Sequence, residues 1–155
     1  MMFLFLRLIL AHFLADFPLQ PDIIYKLKIK NLWGQFLHAL IFVVCAVGLS
    51  WPFLGIKAIW GLFLFLGASH FAIDCLKVRY VDKGRAKIWS FLADQLLHLG
   101  AVSIIFLTGL KDLSFSANPC FLERLYANNF LILFLIILII SAYVIKRMKI
   151  LRGSQ

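Results

Sequence analysis

Charge is what this chain has least of. Only 15% of its 155 residues are Asp, Glu, Lys or Arg, and just seven of them are acidic. A soluble domain carries about 25% charged and about 45–50% apolar residues. Here the hydrophobic set reaches 63% and the mean hydropathy is +0.96. That balance excludes a disordered chain, a nucleic-acid-binding arm and an ordinary water-soluble enzyme. It leaves an integral membrane protein forming a single domain over residues 1–155, with no nucleic-acid partner. Cysteine is scarce as well. Cys45, Cys75 and Cys120 are odd in number and lack CxxC spacing, so no disulfide framework is implied. Cys45 and Cys75 fall in apolar runs and read as small buried packers. No internal repeat or low-complexity linker divides the chain. The N-terminal run lacks the positive region of a secretory signal and contains His12 and Asp16, so it is expected to stay as a membrane helix.

What the chain has in abundance is apolar runs. Crossing about 30 Å of hydrocarbon takes about 20 helical residues. Five runs qualify, at 2–17, 32–49, 56–76, 88–110 and 128–145, the first ended by Pro18. They predict an all-α, polytopic membrane helix bundle of about five transmembrane helices. Twelve Lys and Arg fall in the gaps after the first and third runs and in the tail, against three (Lys57, Lys111, Arg124) in the alternate gaps. The positive-inside rule then puts the N-terminus outside and the C-terminus in the cytoplasm. Trp33 and Trp89 open two helices on the inner side, and Trp51 and Trp60 flank an outer turn, as headgroup-seeking indoles should. Asn118 and Pro119 read as the N-cap and first position of a short interfacial helix over 120–126. Residues 25–30 alternate apolar side chains with lysine, which predicts a strand-like stretch on the membrane surface.

Ionisable groups inside a bilayer are costly and face a cavity or one another. All four histidines (His12, His38, His70 and His98) fall within predicted spans, as do Asp16, Asp74 and Asp94. His12 with Asp16, His70 with Asp74, and Asp94 with His98 are each four residues apart, which puts each pair on one helix face. Random placement gives about 0.4 such pairs, counted as (i, i+4) neighbours. The orientation inferred from lysine and arginine brings all seven groups, from four helices, to one depth in the inner half. Imidazole with carboxylate is the donor set of zinc, manganese or iron. His12, His38, His70, Asp74 and His98 are therefore the candidate metal ligands. Asp16 and Asp94 are candidate catalytic groups, and Gln20 and Gln95 polar neighbours. Lys26, Lys77 and Arg79 are placed to bind an anionic headgroup. Ser69 is a nucleophile or a packing hydroxyl, and Cys75 is turned about 100° from Asp74. The fifth run, without an ionisable residue over 130–140, reads as scaffold, lipid-facing wall or the docking face for another membrane protein.

Four blocks of this sequence taken in order, AHFLADFPLQP (11–21), LHAL (37–40), SHFAIDCLK (69–77) and LADQLLHL (92–99), resemble a family of small bacterial membrane proteins called domain of unknown function 3307. The likeness covers roughly the first 110 residues. It implies a multi-helix protein of the bacterial cytoplasmic membrane and brings no established substrate. The SHFAID block is more distantly similar to membrane-bound proteins read as metal-dependent hydrolases, in which intramembrane His and Asp are taken as ligands.

Three functions remain open on the sequence. The first is a metal-dependent hydrolase or transferase holding a divalent transition metal, zinc foremost and manganese or iron next, and acting on an amphiphilic substrate or anionic lipid at the inner leaflet. The second is a proton or metal-ion transporter, for which Ser50, Ser103 and Thr108 are the only polar groups continuing outward. The third is a non-catalytic subunit of a larger membrane complex, its polar cluster merely tying helices together.

Overall fold

A computed structural model describes residues 2–82, 88–115 and 121–145 of the chain. The described residues form seven α-helices and no strand: α1 (Phe3–Asp16), α2 (Asp22–Lys30), α3 (Leu32–Leu49), α4 (Lys57–Leu76), α5 (Ile88–Val102), α6 (Phe121–Ala127) and α7 (Asn129–Ile139). Three stretches are long and apolar enough to cross a membrane: Leu32–Leu49, Lys57–Tyr80 and Trp89–Leu107. Helices α6 and α7, bent by 68° relative to each other, make a fourth if counted as one broken span. At 14 residues, α1 is about 21 Å long, shorter than a bilayer core.

Helix α1 is the axle of the bundle. Eleven of its 14 residues are buried, which is what a helix apolar on every side requires. Leu4, Leu8, Ala11 and Ala15 pack with Phe42 and Ala46 of α3 and Ile59, Leu62, Phe63 and Leu66 of α4. Leu6, Leu10, Phe13 and Phe17 face Ile132 and Ile136 of α7 and Phe91 of α5. Large apolar side chains point outward instead, with Leu64, Trp89 and Phe130 77%, 78% and 86% exposed. Water would penalise so continuous an apolar exterior, and hydrocarbon does not.

Some expectations need correction. Residues 25–30 are not strand-like; they belong to α2, entered from Pro21 in extended backbone, with Asp22 in its first turn and Lys28 and Lys30 in its last. These charges complement the helix dipole, and packing against α3 overrides the alternating pattern. The α2–α3 joint is tight. Asn31 ends α2 in extended backbone and caps α3, its Oδ1 accepting from Gly34 N at 2.8 Å. A Cβ at Gly34 would overlap the backbone of Leu27 and Lys28. The 88–110 run is not one α-helix either. It tightens to 3-10 geometry over Ser103–Leu107 and breaks at Thr108, whose side chain caps the next short turn. Cys45 and Cys75 are half-buried free thiols rather than fully buried packers. Helix α6 forms where the interfacial helix was expected, while Asn118, Pro119 and Cys120 lie outside the described residues, as do Lys83, Arg85, Lys87 and the basic tail.

Candidate metal centre

The (i, i+4) pairs deliver their side chains to one place because α1, α3, α4 and α5 pack around a common interior. His12 and Asp16 come from the last turns of α1, His38 from the first half of α3, His70 and Asp74 from the last turns of α4, and Asp94 and His98 from the middle of α5. All seven are buried. The imidazoles crowd together, with ring centroids 4.1 Å apart for His70 and His98, and 5.0 Å for both His12–His98 and His38–His70. Phe42 stacks on His70 at 4.8 Å and walls the centre on one side. The crevice lined by His12, Phe42, Ser69, His70 and His98 is too narrow for a water molecule.

The donor atoms are spaced in a telling way. Asp16 Oδ1 lies 3.1 Å from His38 Nε2 and 3.6 Å from His70 Nε2. Asp74 Oδ2 lies 3.6 Å from His70 Nε2, and Asp74 Oδ1 lies 3.9 Å from His98 Nε2. Charge-assisted hydrogen bonds close to about 2.7–2.9 Å, so most of these pairs stand too far apart to be bonded. Around tetrahedral zinc, with bonds of about 2.0–2.1 Å, neighbouring donors stand about 3.3 Å apart. Three overlapping sets have all their donor atoms within 4.8 Å of one another: His12, Asp16 and His70; His38, His70 and Asp74; Asp74, Asp94 and His98. His70 Nε2, His98 Nε2 and Asp94 Oδ1 are buried without a hydrogen bond, a state buried polar atoms rarely keep.

The surrounding groups orient these donors. Gln95 Nε2 donates to Asp16 Oδ2 at 2.9 Å, and Gln95 Oε1 accepts from His12 Nε2 at 3.1 Å. Despite the intervening Pro18, Gln20 reaches the cluster, its Nε2 lying 3.2 Å from each ring nitrogen of His38. Ser69 donates to the Leu66 carbonyl of its own helix at 3.0 Å, which is the packing role. Cys75 donates to Gln35 Oε1 at 2.8 Å and takes no place among the donors.

Two lysines enter the cluster. Lys77 donates to Asp94 Oδ2 at 2.8 Å, so it joins the centre, whereas Lys26 and Arg79 stay exposed at the surface. Lys28 was not singled out by sequence, yet it is the buried residue of α2 and its Nζ lies 2.6 Å from Asp74 Oδ1. Burial opposes its charge, but the carboxylates of Asp74, Asp16 and Asp94 outweigh that and hold its pKa above the ordinary lysine value. A buried lysine flanked by one-residue alternation gives little sequence signal; only the fold of α2 reveals it.

The N-terminal half of α1 holds a second polar feature that sequence reasoning left unexplained. Arg7 is fully buried on α1. Its Nη1 donates to the Phe3 carbonyl at 2.8 Å and to Asn129 Oδ1 at 2.5 Å, and its Nη2 donates to the Tyr126 carbonyl. The guanidinium carbon stands 3.4 Å from the centroid of the Phe3 ring. Arg7 thus ties α1 to the break between α6 and α7.

No curated protein and no solved structure matches this chain. A family model described as "Protein of unknown function (DUF3307)" matches residues 4–124, beyond the four motif blocks and into α6. With that match running from α1 to α6 through every residue of the buried cluster, the chain belongs to the DUF3307 family.

Proposed function

We propose that this protein is a membrane-embedded, metal-dependent hydrolase or transferase, and that the buried His/Asp cluster is its centre. The observation that carries this reading is the donor spacing: histidine nitrogens and aspartate oxygens 3.6–3.9 Å apart, too long to bond one another and suited to share an ion. A divalent transition metal, zinc before manganese or iron, would be held by one of the three overlapping sets, drawn from His12, His38, His70, His98, Asp16, Asp74 and Asp94. Bound there, the ion would lower the pKa of a coordinated water to about 7 and so supply a nucleophile at neutral pH. Gln95 fixes Asp16 and His12, and Asp94, whose Oδ1 makes no hydrogen bond, would accept the proton when one of the other two sets holds the ion. With neutral imidazoles, the three aspartates face, among the described residues, only Lys28 and Lys77, which leaves one uncompensated negative charge. A dication reverses that deficit by one unit, and an ionised water or an anionic substrate group restores neutrality.

The substrate we assign is an amphiphile of the inner leaflet. Five spans, with α1 as the first and α6–α7 ending in the fifth, put the cluster in the cytoplasmic half of a bacterial inner membrane, with the basic gaps facing in. The apolar outer face of α7 would meet lipid or a neighbouring membrane protein. In a cysteine-free background, Ser114→Cys should react with an impermeant maleimide on intact cells and Lys30→Cys only after permeabilisation. The opposite pattern would invert the topology.

Metal analysis of the purified protein tests the centre. We expect near-stoichiometric zinc, manganese or iron, lost in His70→Ala and Asp94→Ala. A folded protein that binds none of these metals removes the proposal.

A second reading, a proton path, is favoured by the same single negative charge, since one proton would also neutralise it. Arg7 speaks against a cation conduit. It lies five residues, about 7.5 Å, toward the outer end of α1 from His12 and puts a buried positive charge in the way. Ser103 and Thr108 donate to carbonyls of their own helical turns at 2.8 Å and offer no relay. Proton or metal flux in proteoliposomes would reverse this ranking.

A further inference from the structure

Lys28 is the only residue of α2 buried in the bundle. Its ammonium contacts Asp74, a member of two of the three candidate ligand sets, and feels the charges of Asp16 and Asp94 as well. Lys77 is paired in the same manner with Asp94, which shares a ligand set with Asp74 and His98. Each ammonium therefore occupies a carboxylate that a metal would claim. When the dication binds, Asp74 and Asp94 turn part of their charge to it. The buried ammonium of Lys28 and the half-buried one of Lys77 are then left undercompensated beside a third cation, a costly arrangement in a low-dielectric interior. An anion between them relieves it.

We propose that Lys28 and Lys77 form an oxyanion subsite beside the metal, and that its ligand is the phosphodiester group of an amphiphile. This rests on the metal centre proposed above and names the substrate class that centre would receive. Several features of the chemistry favour a phosphodiester. Three aspartates, two lysines and one dication sum to a single positive charge, which one monoanion cancels. A phosphodiester is a monoanion at neutral pH, and its two unesterified oxygens can meet an ammonium and a metal at once. Its ester arms leave room for an apolar chain to remain in the bilayer. The side-chain exposures of Lys77 and Lys28, 18% and 8%, make the Lys77 side the more open approach to an otherwise closed centre.

Thermodynamic linkage provides the test, because a ligand that binds the metal-loaded form more tightly than the metal-free form must tighten the metal by that same ratio. Zinc affinity of the full chain in detergent is measured by chelator competition, with and without dimethyl phosphate and, in a parallel arm, acetate. We expect dimethyl phosphate to tighten zinc about tenfold in the wild type, acetate to do less, and Lys28→Met to lose the effect. Without any anion, Lys28→Met should bind zinc more tightly, since no ammonium competes for Asp74. Lys28→Arg, which keeps the charge, should retain the response and guards against a folding artefact. Dimethyl phosphate without effect on the wild type, or acting equally on Lys28→Met, overturns the subsite. Equal tightening by acetate overturns the phosphodiester assignment. A folded wild type that takes up no metal at all instead removes the metal centre, and the subsite with it.

Discussion

His98 Nδ1 stands 2.8 Å from the carbonyl oxygen of Asp94, one turn earlier on the same helix. Only an N–H can donate to a carbonyl, so the proton of a neutral ring sits on Nδ1 and the lone pair on Nε2. That Nε2 is buried, makes no hydrogen bond and lies 3.9 Å from Asp74 Oδ1. The backbone of α5 thus presets the tautomer that a metal needs.

His98→Ala should therefore lower zinc affinity by about 100-fold or more, above the range seen when only an orienting partner is lost. Chelator competition on the purified protein reads this directly. Unchanged affinity would take His98 out of the donor set.

Gln95 touches both His12 and Asp16 without itself being a metal ligand. Replacing it by leucine keeps the volume and removes both contacts. Zinc affinity should fall about 10–100-fold, the usual cost of losing a group that orients ligands, with little change in helix content by circular dichroism. A loss as deep as that of His98→Ala would mean that Gln95 does more than orient.

Arg7 serves stability rather than chemistry. Arg7→Leu strands the half-buried Tyr126 carbonyl at the end of α6 and the Asn129 amide, and a group left unsatisfied costs about 1–3 kcal/mol when fully buried, less where water reaches it. Thermal denaturation in detergent should show a clear loss, while the metal content of the protein that remains folded should match wild type. Metal lost together with stability would couple the α6–α7 break to the centre.

Much of this centre was legible in the sequence because ionisable groups are expensive, and so conspicuous, within long apolar runs. Seven ionisable groups in apolar runs, six of them paired at helical spacing, could be read as one cluster before any fold was known. Leu32–Leu49 was equally plain, since its run ends at Ser50 and begins after a capping Asn31. Most of what escaped depended on tertiary packing. Tyr25, Leu27 and Ile29 alternate with Lys26, Lys28 and Lys30, and local pattern cannot say that the segment coils to bury one lysine of the three. The partner of Arg7 was hidden for the same reason. Arg7 finds it in Asn129, far along the chain, whereas the break at Thr108 is local, its hydroxyl accepting from Leu110 N and donating to the Ile105 carbonyl.

Gly34 tests whether the α2–α3 joint delivers Lys28 to Asp74. Any Cβ at this position collides with the backbone of Leu27 and Lys28 rather than with a side chain that can swing aside. Gly34→Ala must therefore push the last turn of α2 away from α3. Because Lys28 lies in that turn, its ammonium should withdraw from Asp74. The expected signature is faster acylation of Lys28 by an amine-reactive ester, read by mass spectrometry of the digested protein, with Lys26 and Lys30 as internal references already exposed in the wild type. Zinc affinity without added anion should rise in parallel, as in Lys28→Met, because the competing ammonium has left. If Lys28 stays protected while the variant remains folded, the close approach at Gly34 does not govern the lysine, and its ion pair with Asp74 alone holds α2 against the bundle.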